Sequence, residues 1–397
     1  MNIALISLFV PTPENYNGAS ALPYHIIKNR GTNKDIDVYT WNLNHVNSEQ
    51  ISKIESELNI SITILSVPLL MSIFINTPIF SLRTFLKYPY LRYLSIGKRL
   101  RNHLNSQYNA IWIYGEEISG HAKYFNKRPI VITTPDCEAM YYARVISMPE
   151  KILTSKFLIK YGIMYQKYLS HTRNLPHGKN IKYHLVGAMD CNFLTSINPN
   201  VSAYFIPHPH YDYNASKVID FTKRELKLLI AGRYDFYMKE AADEAINALI
   251  GNPALAETYK ITFLGRGWES HTKSLKNVGY DVLHITFVPV YSEELIKHDI
   301  QLSPISLGTG TKGKVLDAFV NGLLVIGTER ALENIQADDL KNYYSYKTGD
   351  ELIEILNYIA SHREQVKIVA QSGCDTVRHN HGQSVIADKF FNLFDHQ

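Results

Sequence analysis

"LGTGTKGKVLDAFVNG", residues 307–322, is the stretch from which the rest of the chain can be read. Glycines 308, 310 and 313 and lysines 312 and 314 stand just ahead of an apolar segment that carries one acid, Asp317. The run before it, "IQLSPIS" (300–306), has the length and composition of a buried strand, and open α/β sheets bind ligands beyond the carboxyl ends of their strands. Glycine lets backbone N–H groups approach a ligand closely, and a helix starting near 311–313 turns its positive end to the same spot. With the charges of Lys312 and Lys314, the loop reads as a cradle for a diphosphate. It lacks the Gly-Lys-Ser/Thr of a Walker loop, because Gly313-Lys314 is followed by Val315. A plain connecting loop with solvated lysines is the other reading of these residues.

Working outward, the loop belongs to the second of two strand series. The first is "MNIALISLFV", "IDVYTWN", "SITILSV", "AIWIYG", "PIVITTPD" and "KYHLVGA"; the second is "LKLLIAG", "YKITFLG", "YDVLHITFV", "IQLSPIS", "LLVIGT" and "NYYSYK". Continuous Ile/Val-rich runs alternating with amphipathic stretches predict parallel strands covered on both faces, so the fold class is α/β with two Rossmann-like doubly wound domains. The polar, turn-rich segment between the series places a linker near 207–225. The expected domains are 1–207, 208–375 and a terminal segment, 376–397, whose helix packs back on the first domain.

A length of 397 residues exceeds what one core usually supports, and 45% hydrophobic residues suffice for two. The formal net charge of +4 is too small for a dedicated nucleic-acid binder. Cys137, Cys191 and Cys374 fit no zinc spacing and suit a reducing compartment. The N-terminal apolar run has no basic flank or cleavage site and reads as a strand, not a signal peptide, and no stretch has the length of a membrane span. His208/His210 and His379/His381 are spaced two apart without further ligand company, so no metal is expected.

A second anion-binding feature lies in "LLIAGRYDFYMKEAADEAI" (228–246), where Arg233 follows the strand and Lys239 falls in the first turn of the next helix. A cation there opposes the helix dipole unless an anion compensates it. Arg233 suits bidentate phosphate binding and Lys239 a point charge, or both pair with Asp235, Glu240 or Asp243 on the surface.

These elements, in this order, resemble the nucleotide-sugar-binding domain of GT-B-fold glycosyltransferases, especially the retaining family 4. The matching pieces are Gly232-Arg233 with Lys239, "FLGRG" at 263–267, "ITFVPV" at 285–290 and "KVLDAFVNGLLVIGT" at 314–328, about 100 residues in all. The resemblance implies two domains facing across a cleft. It also implies that Arg233, Lys239, Lys314 and the amides of Thr309, Gly310, Thr311 and Lys312 hold the donor diphosphate, with Gly265 beside them. Phe287 and Val288 would line the base, and Asp317 would bind the ribose. Family members often carry two glutamates seven residues apart; here Thr309 and Asp317 stand in those places, which leaves the sugar and the stereochemical outcome open.

The first half matches more loosely. Gly18, before a helix, is similar to the family's glycine-rich N-terminal loop, or belongs to a turn capped by Ser20. Asp136 and Glu138 end one predicted strand and Glu116 and Glu117 another, so Asp136, Glu138 and Glu117 are the acceptor-side catalytic candidates. Helix capping by Asp136 and simple solvation are the alternatives. Residues 66–105 interleave aromatics with Arg83, Lys87, Arg92, Lys98, Arg99 and Arg101, a pattern suited to an anionic membrane surface, the alternative being apolar residues in the core and cations on a solvated helix face.

The expectation is a cytoplasmic enzyme, peripheral on the inner face of the plasma membrane. It would transfer a sugar from a nucleotide-diphosphate donor to a saccharide or lipid-linked acceptor in bacterial envelope polysaccharide synthesis, with no cofactor and no metal. A sugar-nucleotide epimerase of the same fold and a non-catalytic nucleotide-sugar-binding protein are the alternatives. A dinucleotide oxidoreductase is disfavoured because "VPTPENYNGAS" lacks Gly-x-Gly-x-x-Gly.

Overall fold

The computed structural model describes residues 1–15, 19–76, 83–84, 86–148, 155–211, 213 and 219–395. Two compact units share the chain: Met1–Pro209 with Gln383–Gln397, and His210–Gly382. The return to the first unit falls at 383, later than 376, because the helix Arg363–Asn380 continues unbroken past that position.

The first unit holds a seven-stranded parallel sheet. Its strands are β1 (Asn2–Ser7), β2 (Asp35–Thr40), β3 (Ser61–Ile64), β4 (Ala110–Tyr114), β5 (Ile130–Thr133), β6 (Ile181–Leu185) and β7 (Ser202–Phe205), in the order β3-β2-β1-β4-β5-β6-β7. β7 lies inside the segment read as polar connection; it is a four-residue edge strand with alternately exposed side chains, so it shows no apolar run. Both faces are covered. Ile3 and Leu5 join one apolar cluster while Ala4 and Ile6, pointing the other way, join another. The terminal helix Gln383–Asp395 supplies Ile386, Phe390, Phe391 and Phe394 to the first of these, with the Phe390 ring 4.5 Å from Trp112.

The second unit holds six parallel strands: β8 (Leu226–Ala231), β9 (Tyr259–Leu264), β10 (Val282–Ile285), β11 (Ile300–Ser303), β12 (Leu324–Thr328) and β13 (Tyr344–Tyr346), in the order β10-β9-β8-β11-β12-β13. The strand order reverses between β1 and β4 in one sheet and between β8 and β11 in the other. In doubly wound sheets that reversal opens a crevice at the carboxyl ends of the strands. Among the described residues no helix is long and apolar enough to cross a membrane.

Candidate functional site

In the second unit, three strand-end loops are tied together at the reversal. The loop after β8 meets the loop after β9 through Gly232 N to Leu264 O (2.9 Å), Tyr234 N to Arg266 O (2.9 Å) and Trp268 Nε1 to Gly232 O (2.8 Å). This contact requires glycine at 265, since a Cβ there would lie 2.1 Å from the Gly232 carbonyl oxygen. The loop after β11 joins through the Tyr237 carbonyl, which accepts from Ser306 N (3.0 Å), Leu307 N (3.1 Å) and Ser306 Oγ (3.0 Å). Gly310, at φ 62°, lets the loop turn into the helix Gly313–Val320.

The predicted donor residues divide by what they touch. Arg233 is exposed and makes no hydrogen bond or ion pair with any described residue. Lys239 opens the helix Lys239–Ile250 and is paired, its ammonium 2.7 Å from Asp243 Oδ2 and 2.9 Å from the Tyr234 hydroxyl. Those hydrogen bonds, Asp243 first, hold its proton more tightly than usual. Lys312 folds back on its own loop, donating to Thr309 O at 2.7 Å and Gly310 O at 3.1 Å, so its charge stiffens the turn. Lys314 stands over the Tyr291 ring at 4.1 Å. The Tyr291 phenol is pushed well up by burial and then by Asp317, which places Asp317 in the same neighbourhood. Buried Gln301 connects them: it accepts from the Tyr291 hydroxyl (3.1 Å) and donates to Lys314 O (3.1 Å). Beyond β10, Phe287 is 75% exposed and Val288 half-buried. Gly18 lies outside the described residues.

At the corresponding strand ends of the first unit the chemistry is acidic. Glu116 and Glu117 follow β4, and Asp136 and Glu138 follow β5. Glu116 is 3% exposed, accepts from Thr172 Oγ1 at 2.8 Å, and is pushed up to about 8, mainly by burial and further by Glu117. Burial also raises Glu117, which the Tyr168 hydroxyl approaches at 3.4 Å. Glu138 is raised well above the carboxylate range by burial, then by the charges of Glu117, Asp136 and Glu116. A carboxyl raised to about 8, as at Glu116, holds its proton near neutral pH and can donate a hydrogen bond as well as accept one, and burial moves Glu117 and Glu138 in the same direction. His171 lies beneath, taking a hydrogen bond from Arg92 on Nδ1 (3.0 Å) and giving one from Nε2 to Glu116 O (3.1 Å). Asp190 Oδ1 accepts at 2.9 Å from the backbone N–H of Cys137, the residue that precedes the helix Glu138–Ile146.

The basic stretch 66–105 is less available than its composition suggests. Arg83 stacks on Tyr90 (4.6 Å), Arg92 on Tyr88 (3.9 Å), Arg101 on Tyr124 (4.2 Å), and the Lys87 ammonium lies 5.3 Å from the Tyr88 ring. Lys87 stays exposed beside its ring, and Lys98 and Arg99 are exposed at the start of the helix Lys98–Gln107.

No protein-family model and no curated protein sequence matches the chain. Solved structures do. HepE of Anabaena, in complex with UDP-glucose, superposes with a TM-score of 0.62 at 12% identity, over 100% of this chain and 99% of that one. Sucrose-phosphate synthase from Thermosynechococcus elongatus gives 0.64 at 11%, over 99% and 98%. WaaG, a glycosyltransferase involved in lipopolysaccharide biosynthesis, gives 0.56 at 13%, over 100% of both. At these identities the likeness is one of fold, and the chain has the two-domain α/β fold of GT-B glycosyltransferases.

Proposed function

We propose that the protein is a nucleotide-sugar-dependent glycosyltransferase of the hexosyltransferase class, with the donor on the second unit. One observation supports this reading: the loop that carries the exposed Arg233 is tied at Gly232 and Tyr234 to the loop after β9, and at Tyr237 to the loop after β11, whose glycine turn opens a helix at the β8/β11 reversal. Arg233, Lys239, Lys314 and the helix end are assigned to the diphosphate, Asp317 to the ribose and Phe287 to the base. With cations and amides in that role, the leaving group is stabilised without a metal. The acidic groups of the first unit, Asp136, Glu138 and Glu117, are assigned to the hydroxyls of a saccharide or lipid-linked acceptor.

In the reaction the bond between the anomeric carbon and the β-phosphate oxygen breaks and one to an acceptor oxygen forms. We assign retention of configuration, with the acceptor proton passing to a donor phosphate oxygen. The setting is envelope polysaccharide synthesis at the inner face of the membrane, where exposed Lys98 and Arg99 would meet anionic lipid.

A panel of nucleotide sugars tests the proposal, first by thermal stabilisation and then by transfer of labelled sugar. A preferred donor raises the unfolding midpoint by mass action. Release of free altered sugar without an acceptor would instead identify an epimerase, and binding without turnover a non-catalytic binder.

A further inference from the structure

Lys239 belongs to a closed set of four side chains. Its ammonium donates to Asp243 Oδ2 and the Tyr234 hydroxyl, and Asp243 Oδ1 accepts from that hydroxyl at 2.7 Å and from His271 Nε2 at 3.0 Å. The set is anchored from below. The Tyr234 ring lies 4.5 Å from His271 and 5.1 Å from Trp268, and Trp268, fully buried, holds the carbonyl of Gly232. The same tryptophan therefore fixes the backbone that presents Arg233 and the rings that hold Lys239.

Without partners, Lys239 would not stay in place. A cation in a helix's first turn is repelled by the positive helix end. A lysine side chain also loses rotamer freedom whenever it is held for a ligand. Asp243 stands one turn on along the same helix face, where it offsets both effects.

We propose that Asp243 is a positioning residue for diphosphate binding, holding the Lys239 ammonium against the Arg233–Tyr234 loop. An ammonium has three N–H donors; Asp243 and Tyr234 take two, and the third is directed to a phosphate oxygen. The inference rests on the donor site proposed above and adds to it a carboxylate that never meets the ligand. An acid near an anion site is ordinarily unfavourable, so its presence here is explained by the cation it orders.

The test is calorimetric titration of inorganic pyrophosphate into the full chain at about 0.15 M salt, which weakens the long-range field of the half-buried Asp243 carboxylate. Asp243→Asn keeps an oxygen for Tyr234 and His271 but turns an amide N–H₂ toward the ammonium, which is then released. It should weaken binding about fivefold, the cost of re-immobilising one long side chain. Lys239→Ala should lose at least as much, and the double variant no more than Lys239→Ala alone, since the two residues act as one. Tyr234→Phe, which keeps the ring and deletes one acceptor, should shift affinity in the same direction by less, so a folding defect in Asp243→Asn does not hide the answer. Unchanged or tighter binding by Asp243→Asn, or additive losses in the double variant, overturns the positioning role while leaving the donor site standing. No binding of pyrophosphate or UDP by the unaltered protein overturns both.

Discussion

At the carboxyl ends of its strands the first unit carries Glu116 and Glu117 after β4, beside the order reversal, and Asp136 and Glu138 after the next strand, β5, while the second unit carries Gly232, Arg233 and the glycine-lysine run 308–314 at the two strands that flank its reversal. The scaffold is the same in both: parallel strands, two covered faces, loops at the carboxyl ends. What differs is how each unit treats charge. In the first, burial and mutual repulsion raise the proton affinity of Glu116 and Glu138; in the second, cations stay near the surface, Lys239 ordered by Asp243 and Arg233 without a bonded partner among the described residues. A doubly wound sheet thus fixes where a site lies, and the residues at the strand ends decide what it can bind.

The contrast is broken most severely at Gly265. Gly265→Ala drives a Cβ into the Gly232 carbonyl at φ 141°, and should cost on the order of 3 kcal/mol. Gly120→Ala in the first unit, where a Cβ meets nothing within 4 Å, is the control for the same thermal melt. Next in size, Arg233→Ala should reduce affinity for nucleotide diphosphates roughly ten- to a hundredfold, the range for a lost charge-assisted hydrogen bond. Titration with UDP or another nucleotide diphosphate reads it, and near-normal affinity would remove the charge contrast between the units.

The third concerns pH. Folded Glu116 keeps its proton up to about 8, whereas a free glutamate releases it near 4.5, so this group's contribution to stability is full below 4.5 and is lost as pH rises toward 8. Glu116→Gln keeps an acceptor for Thr172 and has no proton to lose. Its stability relative to the unaltered protein should therefore improve by about 1–3 kcal/mol between pH 5 and pH 8, as melts at both values would show. The smallest effect lies on the first unit's surface: Lys98→Ser with Arg99→Ser should lower partitioning onto phosphatidylserine vesicles about fivefold. Equal partitioning would mean that the exposed pair does not meet lipid.

The second unit was legible because its site is local in sequence. Arg233 and Lys239 are six residues apart, the glycine turn is contiguous, and all six of its strands fall within short runs bounded by turn residues. What escaped was the pairing geometry. The i,i+4 spacing of Lys239 and Asp243 hinted at their contact, but His271 reaches Asp243 from 28 positions away and leaves no sequence signal. In the first unit, the acids could be seen at their strand ends, yet their protonation depends on distant residues. Burial dominates, and the side chains that oppose it, Thr172 at Glu116 and Tyr168 at Glu117, both come from the helix Ser155–Arg173. The basic stretch 66–105 shows the same limit, because contacts between cations and rings cannot be read from composition. Alternating aromatics and arginines look like a lipid-facing surface, whereas most of those cations stack on the neighbouring rings.

The terminal helix Gln383–Asp395 covers Trp112 with Phe390, although the whole second unit, His210–Gly382, is made between them. A ribosome working from residue 1 therefore finishes β1, β2 and β4 long before their aromatic lid exists, and then builds an entire other unit. Throughout that interval the nascent first half shows a greasy sheet face, which makes it a natural client for a chaperone that recognises unpaired aromatics.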